Sequence, residues 1–164
     1  MSEKEQDALK TTKKYMWISM GAGLIPIPGV DWAAVSGVQL KMLTEISKIY
    51  GVPFHKNLGK ATIGSLAGFI VPHAMAFGWI GDVLKLIPVV GILAGAPATG
   101  LLAGAYTWAM GNIFIQHFAS GGTFLNLDPE KVKEYFQAQF EEGRKLAATM
   151  DTAKQTKKKA VAEV

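Results

Sequence analysis

Between Ala61 and Leu127 the chain carries two formal charges, Asp82 and Lys85, while charged residues crowd both ends. So long an uncharged stretch cannot form solvated surface. It must be enclosed by hydrocarbon, by copies of itself or by a tightly packed helical core. The apolar share of the whole chain, 49%, is ordinary, so the constraint lies in the distribution. A length of 164 residues suits one domain with a sizeable core.

Two segments dominate the stretch. Ala61 to Gly81 is free of charged residues and long enough for a bilayer core, which takes about 20 residues. It is diluted by glycine, alanine, His73 and Pro72. Ala98 to Phe118 is a second uncharged segment of similar length. Pro88 and Pro97 break the chain between them, and Asp82 and Lys85, one helical turn apart, mark a hairpin tip where they neutralise each other. Gly64 with Gly68, Gly91 with Gly95, and Gly100 with Gly104 are small-x-x-x-small pairs that clear a helix face for close approach, and Gly111 extends the series. Such faces serve helix packing and oligomerisation in a membrane, or a dense soluble core. Lys56 and Lys60 precede the first segment and Lys131 and Lys133 follow the second. If the hairpin inserts, the positive-inside rule places both termini on the cytoplasmic face of a bacterial membrane.

The flanks are amphipathic. In "GLIPIPGVD", Pro26 and Pro28 preclude one regular helix, and Gly29 with Asp31 leads into the next element, with Asp31 as its N-cap. That apolar corner is expected to be buried and to fix the angle between two helices. Val35, Val38, Met42, Ile46 and Ile49 then recur at helical spacing until Gly51 and Pro53 stop the helix. Asp128 and Pro129 predict the N-cap and first residue of a C-terminal helix with a stripe of Val132, Phe136 and Phe140. Lys154, Lys157, Lys158 and Lys159 form a basic, disordered tail able to meet anionic headgroups.

Catalytic chemistry finds little purchase. Cysteine is absent, which excludes disulfides, thiolate metal sites and cysteine nucleophiles. His55, His73 and His117 lack metal-ligand spacing, although His73 and His117 could meet as a pair across a hairpin. No glycine-rich run has the Lys-Ser/Thr ending of a phosphate loop. No enzyme, cofactor, metal or specific nucleic acid partner is expected. Trp17, Trp32 and Trp79 lie near segment ends, where a bilayer interface suits them as well as a core does, whereas Trp108 reads as core.

The stretches "GLIPIPGVDWAAVSGVQLKMLTEISKIYG" and "GAPATGLLAGAYTWAMGNIF" resemble the YcjF-like bacterial domain of unknown function, which also occurs C-terminal to Era- and dynamin-like GTPase domains. The likeness spans roughly residues 15 to 120. It rests on Pro26, Pro28, Gly29 and Asp31, on Gln39, Tyr50 and Gly51, and on Pro97, Thr99, Gly100 and Gly111. It implies membrane association through helical hairpins and a GTPase partner in trans, since no GTPase domain is present.

The expectation is an all-α fold of Gly-rich helical hairpins with flanking amphipathic helices, associated with membrane lipid. Its parts are a polar helix (1–14), the YcjF-like apolar domain (15–127), an amphipathic helix (128–150) and the basic tail (151–164). It self-associates and shapes or scaffolds a bilayer. The alternatives are a conditional pore-former and a soluble helical adaptor for a GTPase.

Overall fold

A computed structural model describes residues 1–22, 30–69 and 91–162, excepting the side chains of 30–32, 91–99, 151–152 and 154–162. The described residues are helical, with no strand among them. In order they form α1 (Glu3–Ala22), α2 (Val30–Tyr50), α3 (Lys56–Ala67), α4 (Gly91–Ala119) and α5 (Pro129–Ala162). The all-α expectation holds.

Local chemistry sets the helix ends. Ser2 and Glu5 form a reciprocal capping box on α1: the Glu5 N–H donates to Ser2 Oγ at 3.2 Å, and the Ser2 nitrogen donates to Glu5 Oε2 at 2.5 Å. Helix α2 stops at Gly51, whose φ of +72° lies in the left-handed region that favours glycine. The Val52 N–H then turns back to the Ser47 carbonyl at 2.9 Å. Asp128 caps α5, its Oδ1 accepting the Glu130 N–H at 3.1 Å with Pro129 as first helical residue.

The uncharged second segment becomes the centre of a bundle. Helix α4 is packed by α1, α2 and α5, and every residue from Ala103 to Gly111 is buried. An α-helix enclosed on all sides loses its reason for a polar face, and this accounts for the even apolarity of α4. The remaining helices are amphipathic because each has an outer side. Phe114, Phe136 and Phe140 are fully buried around α4 with Met42, Leu43 and Ile46 from α2. Each side chain of this kind contributes about 1.5–3 kcal/mol by leaving water.

Neighbouring residues fix the directions. Thr12 lies against Gly111 and Met20 against Gly104, so α1 runs antiparallel to α4. Gln39 reaches Thr107, and the Tyr50 ring lies 6.0 Å from that of Phe118, so α2 runs parallel to it. Gly143 packs on Ala105 and Trp108 while Tyr135 lies near Gln116, making α5 antiparallel. Helix α3 lies across α2 and α5.

Three expectations change. Pro97 does not end an element, since α4 begins at Gly91 and runs through it, forgoing one backbone bond. Asp31 is the second residue of α2 rather than the residue before it. The basic end continues α5 as helix to Ala162 in place of a disordered tail.

Candidate functional site: small-residue seams and a basic pole

Helices α1 and α4 meet along a seam of missing side chains. A Cβ on Gly104 would stand 2.6 Å from Met20 Cγ, and one on Gly111 would stand 2.3 Å from Thr12 Cγ2. These two glycines are seven residues apart, two helical turns, so both face α1. Between them Thr107 lies 2.7 Å from Ser19, hydroxyl to hydroxyl, and 2.8 Å from the carbonyl of Ala103. Thr107 has one proton to give. It therefore donates to one of these oxygens, and if that is the Ala103 carbonyl, Ser19 donates to Thr107. Gln39 adds its Nε2 from α2 at 3.4 Å. Gln39, Ser19 and Thr107 are all fully buried, and Gln39 Oε1 has no partner among the described residues.

A second close approach joins α4 to α5. A Cβ on Gly143 would fall 2.8 Å from Trp108 and 2.9 Å from the Ala105 carbonyl. Trp108 is buried among Met16, Met20 and Ala147, as its reading as core requires. Sequence reasoning missed Gly143 because "EEGRK" reads as an exposed polar turn of helix. Its signal was a glycine, costly in a helix interior, with no turn beside it.

The other predicted glycines behave differently. Gly100 is buried in α4, and Gly91 and Gly95 belong to its first turns. Gly64 is exposed with nothing near its Cβ direction, and Gly68 meets only the Ser65 carbonyl of its own helix. Thus α3 presents Gly64, Ser65 and Gly68 outward.

The family-motif residues separate by role. Gln39 belongs to the buried polar network and Gly51 forms the turn after α2. Tyr50 packs its ring at a tilt against Phe118, its hydroxyl has no partner among the described residues, and burial raises its pKa. Pro97 and Thr99 lie in α4, where their side chains are outside the described set. Pro26, Pro28, Gly29, Asp82, Lys85, His73 and Trp79 lie outside the described residues, as do the side chains of Asp31 and Trp32. His117 is engaged by its own loop, with Nε2 placed 2.9 Å from the Thr123 carbonyl to which it donates and 3.0 Å from Asn126 Oδ1. A Cβ on Gly122 would collide with that ring.

One pole of the bundle has a distinct chemistry. At the amino end of α4, α1 terminates, α2 begins and α5 runs out past Met150, which packs beside Met16, Met20 and Trp108. The exiting end of α5 carries Lys154, Lys157, Lys158 and Lys159. On α1 just before this pole, Trp17 and Ile18 are 41% and 46% exposed. Lys10, Lys13 and Lys14 stand on the same outer side of α1. Lys14 also pairs with Glu45 of α2 at 2.7 Å, and Tyr15 donates its hydroxyl to the same carboxylate at 2.5 Å. Those bonds hold the Glu45 carboxyl below its ordinary pKa, Lys14 contributing most. Among the described residues no three acidic or histidine side chains gather as a metal site, and no helix is long and apolar enough to cross a membrane.

The fold and its seams define a small-residue-packed helical bundle with one basic, partly apolar pole. Within that class the chain belongs to the family described as a domain of unknown function, DUF697, whose model matches residues 1–145. The match bears out the YcjF-like resemblance and extends it over both flanks. The chain is 36% identical over 143 residues to magnetosome membrane protein 22 of Magnetospirillum gryphiswaldense, covering 87% of this chain and 73% of that one. No solved structure matches it.

Proposed function

We propose that this protein is a non-enzymatic, membrane-associated helical scaffold that meets the bilayer with the pole where α1 ends and α5 carries its lysines. The carrying observation is the exposed pair Trp17 and Ile18, next to that pole and beside Lys10, Lys13 and Lys14. Large apolar side chains have a reason to stay in water when they await an apolar surface, and a tryptophan with adjacent lysines suits the headgroup boundary. Four further lysines near the end of α5 add attraction for anionic lipid. The name of the magnetosome membrane protein supports the same location.

Self-association is assigned to the outward small face of α3, where Gly64 and Gly68 leave room for a second backbone. Repeated subunits held at a surface would scaffold or bend it. A GTPase in trans would supply nucleotide-driven work, as the family's occurrence beside GTPase domains suggests. The bacterial cytoplasmic membrane, with both termini on its cytoplasmic side, is the proposed location.

Flotation with vesicles tests this reading. The purified protein is expected to float with anionic vesicles and less with zwitterionic ones, and the double variant Trp17→Ser, Ile18→Ser should lose at least tenfold in vesicle binding while keeping its helical content. Equal flotation of the variant would overturn the assignment of the pole. The soluble adaptor remains the second reading, favoured by the enclosure of α4 within the bundle. It calls for a monomer that ignores vesicles of either charge.

A further inference from the structure

A cleft of about 450 Å³ opens where α1 starts, α4 finishes and α5 begins, at the end of the bundle away from Trp17 and Ile18. Neither the seams nor the basic pole accounts for it. Its volume falls in the range that houses small organic ligands, about 300–1,000 Å³. Leu9 and Ile115 give it an apolar side, and Glu5, Asn112, Ser120 and Tyr135 give it a polar one.

Bonds already made inside the protein decide which polar atoms are left over. Asn112 gives its Nδ2 to the Trp108 carbonyl at 2.9 Å, which orients the amide and leaves Oδ1 without a partner among the described residues. Ser120 spends its one proton on the Gln116 carbonyl at 2.9 Å, so its Oγ keeps only lone pairs. Glu5 accepts the Ser2 N–H through Oε2 and holds Oε1 in reserve. Its bonds from Ser2, the backbone one first, keep the Glu5 carboxyl below its ordinary range, while the Met1 ammonium is the weakest influence on it. Glu5 is therefore an anion with charge to share. Burial first, and then the Glu142 carboxylate, raise the pKa of Tyr135, so that phenol stays protonated and its oxygen can still accept.

No lysine, arginine or histidine lines the cleft. The last turn of α4 adds the negative end of its dipole, and Glu3 with Glu5 offsets the positive start of α1. A carboxylate or phosphate ligand would be repelled. A bare metal ion would find one carboxylate beside hydrocarbon, where it requires a cage of about six oxygens. What fits is a group with several N–H donors, one positive charge and an apolar body.

We propose that this cleft binds a primary alkylammonium. Its N–H donors are shared among Glu5 Oε1, Asn112 Oδ1 and the hydroxyl oxygens of Ser120 and Tyr135, and its chain lies along Leu9 and Ile115. The bond to Glu5 is charge-assisted on both sides, which makes it the strongest of the set.

Titration of the intact protein with hexylamine, followed through its backbone amide resonances, tests the site. Amides of residues 112–120 and 135 should shift saturably while those of 37–46 stay in place. Hexanol and hexanoate, with the same chain, should bind at least tenfold more weakly. So should hexyltrimethylammonium, which keeps the charge but has no N–H to donate. Phosphoethanolamine, which joins the same ammonium to a phosphate as a lipid headgroup does, should also lose at least tenfold. Glu5→Gln should weaken hexylamine binding at least tenfold, and it preserves the fold because glutamine serves the capping box as well. Glu3→Gln removes an exposed carboxylate of the same turn that does not line the cleft, and should leave binding unchanged. Tyr135→Phe, which removes only the hydroxyl, should weaken binding at least threefold.

The absence of saturable shifts would overturn the site, as would hexanol or phosphoethanolamine binding as well as hexylamine. Glu5→Gln binding like the unaltered protein would do the same. None of these results touches the membrane reading, since a protein that takes no amine would still float with anionic vesicles.

Discussion

At the scale of single residues, glycine divides into two kinds that the sequence alone does not separate. Gly111 and Gly104 are pressed against α1, and Gly143 against α4, whereas Gly37 and Gly64 face open space. Gly111→Ala should therefore lower stability by about 1–3 kcal/mol through overpacking against Thr12, which is buried and has no room to withdraw. Gly37→Ala should raise it by about 0.5–1 kcal/mol, because alanine restricts the unfolded chain and meets no neighbour. Thermal or denaturant unfolding of the two variants reads the difference, and the same sign for both would show that the seam is not close-packed. Gln39 offers a complementary case. Its Oε1 is buried without a partner among the described residues, so its amide makes less of its hydrogen bonding than burial demands. Gln39→Met, of similar length, is expected to leave stability unchanged or raise it, while Thr107 and Ser19 keep each other. A loss above about 2 kcal/mol would mean that the amide is satisfied by something in the native protein.

At the scale of elements, α1 is clamped to α2 by Lys14, Tyr15 and Glu45. The Glu45 carboxyl is held below its ordinary range, so the clamp is fully formed above about pH 4.3 and is lost as the pH falls through the lower folded value. Tyr15 is raised, first by burial and then by its bond to Glu45, so its share is present below about pH 10 and is lost as the pH rises through the higher folded value. Glu45→Gln should thus lower the melting temperature at pH 7, and the gap to the unaltered protein should narrow toward pH 3. A gap that stays constant over that range would exclude the carboxylate as the source. The amphipathic pattern of α2 was legible from Val35, Val38, Met42, Ile46 and Ile49, and its end from Gly51. Asp128 and Pro129 likewise announced α5. The length of α5 was not legible, because lysines near a chain end look alike in a tail and in an exposed helix. Nor was the passage of α4 through Pro97, since one forgone bond is outweighed when the helix beyond it is buried from Ala103 to Gly111.

At the scale of the whole molecule, the uncharged middle of the chain serves two ends. Its second segment is the axis of the bundle, enclosed by α1, α2 and α5. Its first segment starts in α3, which buries Ile63 and Leu66 in the core, packs Leu58 and Ala67 against it and accepts the Tyr106 hydroxyl at the Ile63 carbonyl. Loss of vesicle binding in the Trp17→Ser, Ile18→Ser variant would place the bilayer contact at the pole beside the end of α1.

The sequence by itself determined that this protein is helical, that its middle must be shielded from water, and that glycines such as Gly104 clear a helix face for close packing, whereas the burial of Gln39 came only with the structure. Periodicity, caps and the absence of charge are local properties, and they act before any long-range contact forms. Only the tertiary structure decided what does the shielding. A glycine face is equally complementary to lipid-embedded helices and to α1 of the same chain, and an ion-free helix is stable in either setting. The choice for α4 is made by Thr12, Ser19 and Met20 arriving opposite Gly111, Thr107 and Gly104, a register that no single segment contains.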